Sequence, residues 1–293
     1  MKVLVTGPGR LGARLLPRLE HLGVTGKVLH RRAAADPSPA WRALRADIAD
    51  PVSLRGAADG CDVVLHLAAL THSNSRSAYE RVNAEGTGNL LAEARRAGVR
   101  HFVHVSTRAI DPRGGAYSRS KARAEERVRN GGIPWTILRP AEVYGAGGEG
   151  VDELIARVRR GGRVPIVGDG SARLAPVYVD DVTEAIAAAV LAPPAGRTLV
   201  LAGPEELTYA ELVARLAAHF GTRPRPLRVP ATLLRAVAWG AALLRLPHPP
   251  LYIDQVSRLL SPKPWDVAAA GEALAFHPRP LAAGLQAMES GLG

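Results

Sequence analysis

The amino-acid sequence predicts an α/β protein: a doubly wound parallel sheet with a smaller, mostly helical C-terminal region. Three observations carry that expectation. Short apolar runs alternate with helical spacings down to about residue 200; a glycine cluster, Gly7-Pro8-Gly9-Arg10-Leu11-Gly12, divides the first run from the first helix; and from Thr208 onward the pattern is helical with proline breaks.

Taken in order, residues 3–5 read as a buried parallel strand, and the helix behind them carries Leu11, Leu15, Leu19 and Leu22 at helical spacing. Residues 27–30 are the second strand, a third ends near Asp47, and residues 62–69 are the fourth. One helix spans 77–97, the fifth strand is 101–106, and a helix bearing Tyr117 and Lys121 follows. The sixth strand, 135–139, is stopped by Pro140. Glycine-rich turns at 145–150 and 168–170 precede a helix over 180–191, and 198–202 is read as a strand returning to the sheet. On this reading residues 1–143 and 176–203 form the sheet domain, and 144–175 with 204–293 form a substrate-binding region.

The glycine cluster sits between strand and helix, where a dinucleotide fingerprint requires it. Gly7 allows the tight turn, Gly9 lets the backbone approach a pyrophosphate, and Gly12 lets helix pack closely on strand. Arg10 and Leu11 complete the candidate loop, at the helix N-terminus whose amides would face phosphates. Tyr117 and Lys121 stand four apart on a helix, hence on one face. Free tyrosine ionises near a pKa of about 10, but a neighbouring ammonium favours the phenolate. The pair can then move a proton to or from an alcohol oxygen.

Composition sets the outer bounds. The 293 residues are 47% hydrophobic and 22% charged, as in a globular protein with a large core. The single cysteine, Cys61, excludes an intramolecular disulfide and reads as a buried structural thiol. A net charge of +11 comes from arginines spread along the chain, and aromatics are only 4%, so no nucleic-acid partner is expected. The N-terminus lacks a signal-type apolar core, which makes the cytoplasm the expected compartment. Residues 231–246 are the most apolar, yet their longest uncharged run, 236–244, is far below the roughly 20 residues of a spanning helix. No membrane span is expected. A helix over the substrate cleft or at a subunit contact, as in a homodimer, is the reading, with peripheral membrane contact the alternative.

Several segments together resemble a known family: Val5-Thr6-Gly7, His66-Leu67-Ala68-Ala69, Val82-Asn83-Ala84-Glu85-Gly86-Thr87, Phe102 to Thr107, Tyr117 to Lys121, Leu138-Arg139-Pro140-Ala141-Glu142-Val143-Tyr144-Gly145, Pro176 to Val182, and Phe276-His277-Pro278. Over nearly the whole chain they resemble an extended or atypical short-chain dehydrogenase/reductase of the NAD(P)-dependent epimerase/dehydratase superfamily, with a Rossmann cofactor domain. Within it the chain is most similar to complex I accessory subunit-like, 3β-hydroxysteroid dehydrogenase-like and hopanoid-associated sugar-epimerase-like proteins. The resemblance implies Tyr117 as general acid/base and Lys121 as the residue that binds the nicotinamide ribose and lowers the phenol pKa. It implies Ser106 or Thr107 as the holder of the substrate oxygen, with Arg108 at that position in another alignment. Asn83 would serve a proton relay or join strand to helix. Asp47 and Ile48 would contact adenine, and backbone at Leu67, Ala68, Ala69 and from Pro140 to Val143 would line the cofactor. Two departures stand out: the glycine fingerprint is one residue shorter than the family's usual form, and only residues 107–116 separate Ser106 from Tyr117.

The expected function is NAD(P)-dependent hydride transfer on a small molecule, a secondary alcohol or ketone, hydrophobic because the surrounding segments are rich in Leu, Ala and Val. The alternatives are a nucleotide-sugar epimerase or dehydratase, for which Arg173 resembles a phosphate-binding arginine, and a non-catalytic dinucleotide-binding sensor or assembly factor. The second strand ends His30-Arg31-Arg32 with no carboxylate until Asp36. Two guanidiniums there suit a 2′-phosphate better than ribose hydroxyls, so NADP is the expected cofactor, with NAD as the alternative. His101 and His104, three apart on a strand, point to opposite faces, and no metal constellation emerges. His66 reads as packing at a strand end, Asp180 and Asp181 as helix caps, and Glu125 and Glu126 as a solvated face.

Overall fold

The computed structural model describes residues 1–32, 34–145, 147–148, 150–246 and 249–291. Ala146 and Glu149, within the expected turn at 145–150, lie outside them. In chain order the first half contains β1 (Lys2–Thr6), α1 (Gly9–His21), β2 (Thr25–His30), β3 (Trp41–Arg45), β4 (Val63–His66), α2 (Arg76–Tyr79) and α3 (Gly86–Arg96). Then come β5 (His101–Val105), α4 (Gly115–Arg129), β6 (Trp135–Pro140), β7 (Val143–Tyr144), α5 (Val151–Arg159), β8 (Arg163–Val167), β9 (Arg173–Leu174) and β10 (Val177–Tyr178). The remainder is α6 (Val179–Leu191), β11 (Thr198–Leu201), β12 (Leu207–Thr208), α7 (Tyr209–Phe220), β13 (Arg225–Val229), α8 (Ala231–Leu243), α9 (Ile253–Leu260), α10 (Ala268–Leu274) and α11 (Leu281–Ser290).

Seven strands form a parallel sheet in the order β11-β6-β5-β4-β1-β2-β3. Period-2 alternation explains its two cores. Val3 and Val5 pack on one face with Leu15, Leu19 and the α6 residues Ile186 and Val190; Leu4 packs on the other with Leu90, Phe102 and Ile137. With both faces covered, β1 tolerates no polar break between Val3 and Val5. Ala270 and Phe276 close the first core from α10 and beyond it, and a third core joins α5, β8, α7 and α11 around Tyr144 and Tyr178.

The structure departs from the sequence reading in four places outside the site. Where one helix was expected over 77–97, α2 and α3 are joined by a wider π-helical turn, Glu80–Glu85. The region after Thr208 is not wholly helical, because β13 pairs in parallel with β8 although it contains Pro226. A two-stranded edge tolerates a proline that a central strand would not. Asp180 and Asp181 do not cap α6; Asp180 pairs with Arg14 at 3.0 Å and Asp181 with Arg279 at 2.7 Å, tying the helix start to two distant segments. Glu125 is fully buried and does not belong to a solvated face.

Candidate active site

The C-terminal ends of β1 to β4 enclose a cleft of about 510 Å³. It opens where the chain leaves β1 toward β2 on one side and β4 lies on the other, the switch point at which open α/β sheets bind ligands. Gly7 has φ +59°, and a Cβ there would lie 2.4 Å from Ala68 Cα, so only glycine lets the β1 turn meet the β4 turn. A Cβ on Gly9, at φ +50°, would meet nothing within 4 Å, which leaves its backbone open to a ligand. Of the expected cofactor contacts, Gly7, Gly9, Arg31, Asp47, Ile48, Leu67, Ala68 and Ala69 border this cleft. Pro8, Leu29, His30, Leu70 and Val82 border it too, though sequence reasoning did not single them out for it.

The other expected contacts stand elsewhere. Leu11 packs into the cores, Gly12 accommodates Pro8 2.3 Å from its absent Cβ, and Arg10 reaches Gly148. Arg32 is exposed, outside the cleft wall, and Val143 joins β7 to β10. Asn83 is buried with every polar group engaged. Its Oδ1 accepts from Leu70 N at 2.7 Å, and its Nδ2 donates to Leu70 O and to Ser120 Oγ. That geometry joins the loop after β4 to α4.

Further along the same sheet edge, a second cavity of about 350 Å³ contains Tyr117, Thr107 and Pro140. Burial raises the Tyr117 phenol above its ordinary pKa; the Arg258 guanidinium, 4.5 Å above the ring, and a hydrogen bond with Thr107 pull the other way. The cation at Tyr117 is therefore Arg258. Lys121, expected to fill that role, instead donates to Val105 O at 3.1 Å and lies 3.4 Å from His104 Nε2, and burial brings its ammonium pKa down to about 8. Thr107 is the hydroxyl beside Tyr117, whereas Ser106 faces Glu125. Burial raises the Glu125 carboxyl, but Arg139 at 2.7 Å, Ser106 and Arg129 outweigh it and hold its pKa below the usual range. Arg108 is 1% exposed, pairs with Glu142 at 2.8 Å, and keeps an Nε with no hydrogen-bond partner among the described residues.

Most of the lining surface of this cavity is apolar, with Ala109, Ala141, Leu174 and Leu259 contributing, and the charged residues Arg108, Glu142, Arg258 and Lys263 are set into it. Arg173 does not reach it and pairs with Glu206 at 2.6 Å. Arg258 and Asp254, both on α9, are among the residues that sequence reasoning missed. No short motif marks them; their only signal was helical spacing, which places Asp254 and Arg258 on one face.

The buried strand histidines His66, His101 and His104 are structural. Thr87 Oγ1 donates to Asn83 O at 2.6 Å, so it accepts from His66 Nε2 at 2.9 Å, and His66 Nδ1 then accepts from Thr6 Oγ1 at 2.8 Å. Burial pushes His66 down to about 3 and His101 to about 4, and drives His104 well below its usual value. Among the described residues no cluster could hold a metal ion.

Residues 3–202 match the NAD dependent epimerase/dehydratase family. The ceramide reductase of Caulobacter vibrioides is 30% identical over 236 residues, 78% of this chain and 73% of that protein. The 2-alkyl-3-oxoalkanoate reductase of Stenotrophomonas maltophilia is 31% identical over 251 residues, 75% of this chain and 76% of its own. A dTDP-glucose 4,6-dehydratase from Streptomyces venezuelae, solved with NAD bound, superposes with a TM-score of 0.78 at 24% identity, covering 98% of this chain and 95% of that one.

Proposed function

The chain belongs to the NAD dependent epimerase/dehydratase family, and from that premise we propose that it is an NADP(H)-preferring reductase or dehydrogenase acting on a ketone or secondary alcohol. The observation that carries the reading is the placement of Tyr117 and Thr107 together in a cavity on the sheet edge that also bears the glycine cleft. The cleft fits a dinucleotide: it has the Gly7 cradle that a Cβ would fill, the open Gly9 backbone and the N-terminus of α1. When bound, the cofactor supplies the hydride or accepts it.

The chain's own residues would then act on the oxygen. Thr107 would hold the substrate oxygen with its hydroxyl, and Tyr117 would give or take the proton at that oxygen. Arg258 over the ring lowers the cost of the phenolate left behind in reduction. Lys121, on the buried face of α4 with a pKa of about 8, would brace the strand end at Val105 and contact the ribose of the bound cofactor. Arg108 Nε and Arg258 would meet a second polar group of the substrate, while Leu174 and Leu259 would meet an apolar portion. For the cofactor, Arg31 in the cleft wall, with no acidic residue at the end of β2, supports NADP(H) over NAD(H).

The alternative is reversible hydride transfer within an epimerase or dehydratase. It is favoured by a 29% identity over 242 residues with a dTDP-glucose 4,6-dehydratase of Streptomyces niveus. The Arg173–Glu206 pair speaks against a ready sugar-phosphate contact at that arginine. The deciding experiment follows NADPH consumption with a panel of apolar ketones and 3-oxo acids beside uridine and thymidine diphosphate sugars. Net oxidation of NADPH on a ketone is expected; turnover of a nucleotide sugar with no net cofactor change would replace this reading with the alternative.

A further inference from the structure

α8 is turned inside out. Its buried positions are the small residues Ala238 and Ala241, whereas Leu233, Val237, Trp239 and Leu243 are 54%, 43%, 64% and 84% exposed. Leu244, at 73%, and Leu246, at 43%, extend the apolar surface past the helix end, and Leu227 of β13 is another exposed leucine just before it in the chain. Soluble monomers rarely leave so much large apolar surface together, and such patches mark interaction sites. The helix is too short to span a bilayer: it has 13 residues, against the roughly 20 required. Among the described residues no helix is long and apolar enough to cross a membrane.

Charge narrows the occupant. From Leu212 to Ile253 the chain contains no Asp or Glu and six arginines: Arg215, Arg223, Arg225, Arg228, Arg235 and Arg245. Arg215 pairs with Glu205, and Arg228 lies close enough to Asp169 to favour its carboxylate; the other four are exposed and form no ion pair among the described residues. A second copy of the chain on this face would bring arginine against arginine. A lipid surface bearing anionic phosphates suits both features, because leucine side chains enter the acyl boundary while guanidiniums pair with headgroup phosphates. Tryptophan favours the same interfacial depth.

We propose that α8 and its flanking arginines form a docking surface for a bilayer containing anionic phospholipid. The surface lies beside the catalytic cavity, since α8 packs on α9, which carries Arg258 and Asp254. Its existence does not depend on the chemistry proposed for Tyr117.

The test is co-sedimentation of the full chain with vesicles of phosphatidylcholine alone or mixed with phosphatidylglycerol, at low and high salt. Binding should be tighter on the anionic vesicles by about tenfold or more and should weaken with salt. It should fall about tenfold in Leu243→Ser/Leu244→Ser and in Arg235→Ser/Arg245→Ser, all exposed positions, with melting curves confirming that the variants fold. Tryptophan emission should be quenched by brominated acyl chains, and the quenching should disappear in Trp239→Phe. The proposal is overturned if the chain ignores both vesicle types, binds both equally, or binds the anionic one unchanged in these variants. A dimer in sedimentation velocity that Leu243→Ser/Leu244→Ser dissociates would also overturn it, by showing that a second copy covers the face.

Discussion

The Asp254 carboxylate accepts the backbone N–H of Tyr117 at 3.0 Å from 137 positions further along the chain. Tyr117 is in the first turn of α4, whose N-cap residue, Gly114, offers no side chain, so α9 supplies the missing cap. Gly115 makes room: its φ is +85°, and a Cβ there would lie 2.4 Å from Asp254 Oδ1. Asp254→Ala should therefore cost about 1–2 kcal/mol in a urea titration. It should also lower kcat more than cofactor affinity, because it loosens Tyr117 and Arg258 together. Asp254→Asn, which keeps an acceptor oxygen, should recover most of both.

Glu125 is 0% exposed between Arg129 at 2.6 Å and Arg139 at 2.7 Å. Arg129 and Arg139, whose side chains stay 39% and 20% exposed, would lose their partner but keep some water, so Glu125→Ala should destabilise by about 1–3 kcal/mol. Equilibrium unfolding measures this, and a change under about 1 kcal/mol would show that water already screens the pair.

Acid should unfold the protein through its buried histidines. His66 and His101 have pKa values near 3 and 4 in the fold, against 6.5 when unfolded. The unfolded chain thus binds more protons between those values, and stability present above pH 6.5 is lost as the pH falls toward 3. Thermal melts at pH 7 and 5 should show a drop in Tm, and His66→Gln/His101→Gln should narrow it.

Cofactor choice tests the Arg31 corner. Wild-type protein should bind NADPH more tightly than NADH, and Arg31→Ala/Arg32→Ala should erase the difference mainly through Arg31, the one that borders the cleft. Fluorescence titration of both cofactors decides it; equal dissociation constants in the unmutated protein would contradict the expectation.

The sheet was legible in the sequence because its signals are local. Val3, Leu4 and Val5 are apolar on both faces, and Gly7 and Gly9 punctuate the turn that follows. The cleft residues Asp47, Ile48 and Leu67 to Ala69 were reachable only through resemblance, since nothing in their own spacing says that three strand ends converge. Burial of Glu125 was illegible because it depends on Arg139 from the next strand, and a charged pair of residues on a helix ordinarily faces water. Asp254 and Arg258 were illegible for the same reason at greater range. Their role arises only when α9 folds back on α4.

Tyr117 is proposed to move the proton that accompanies hydride transfer. The most direct measurement compares Tyr117→Phe with wild type in single-turnover reduction of a verified ketone by NADPH, with cofactor affinity titrated alongside. The rate should fall by about 10²- to 10⁴-fold while the NADPH dissociation constant stays close to wild type. A Tyr117→Phe variant that reduced the ketone at the wild-type rate would contradict that role.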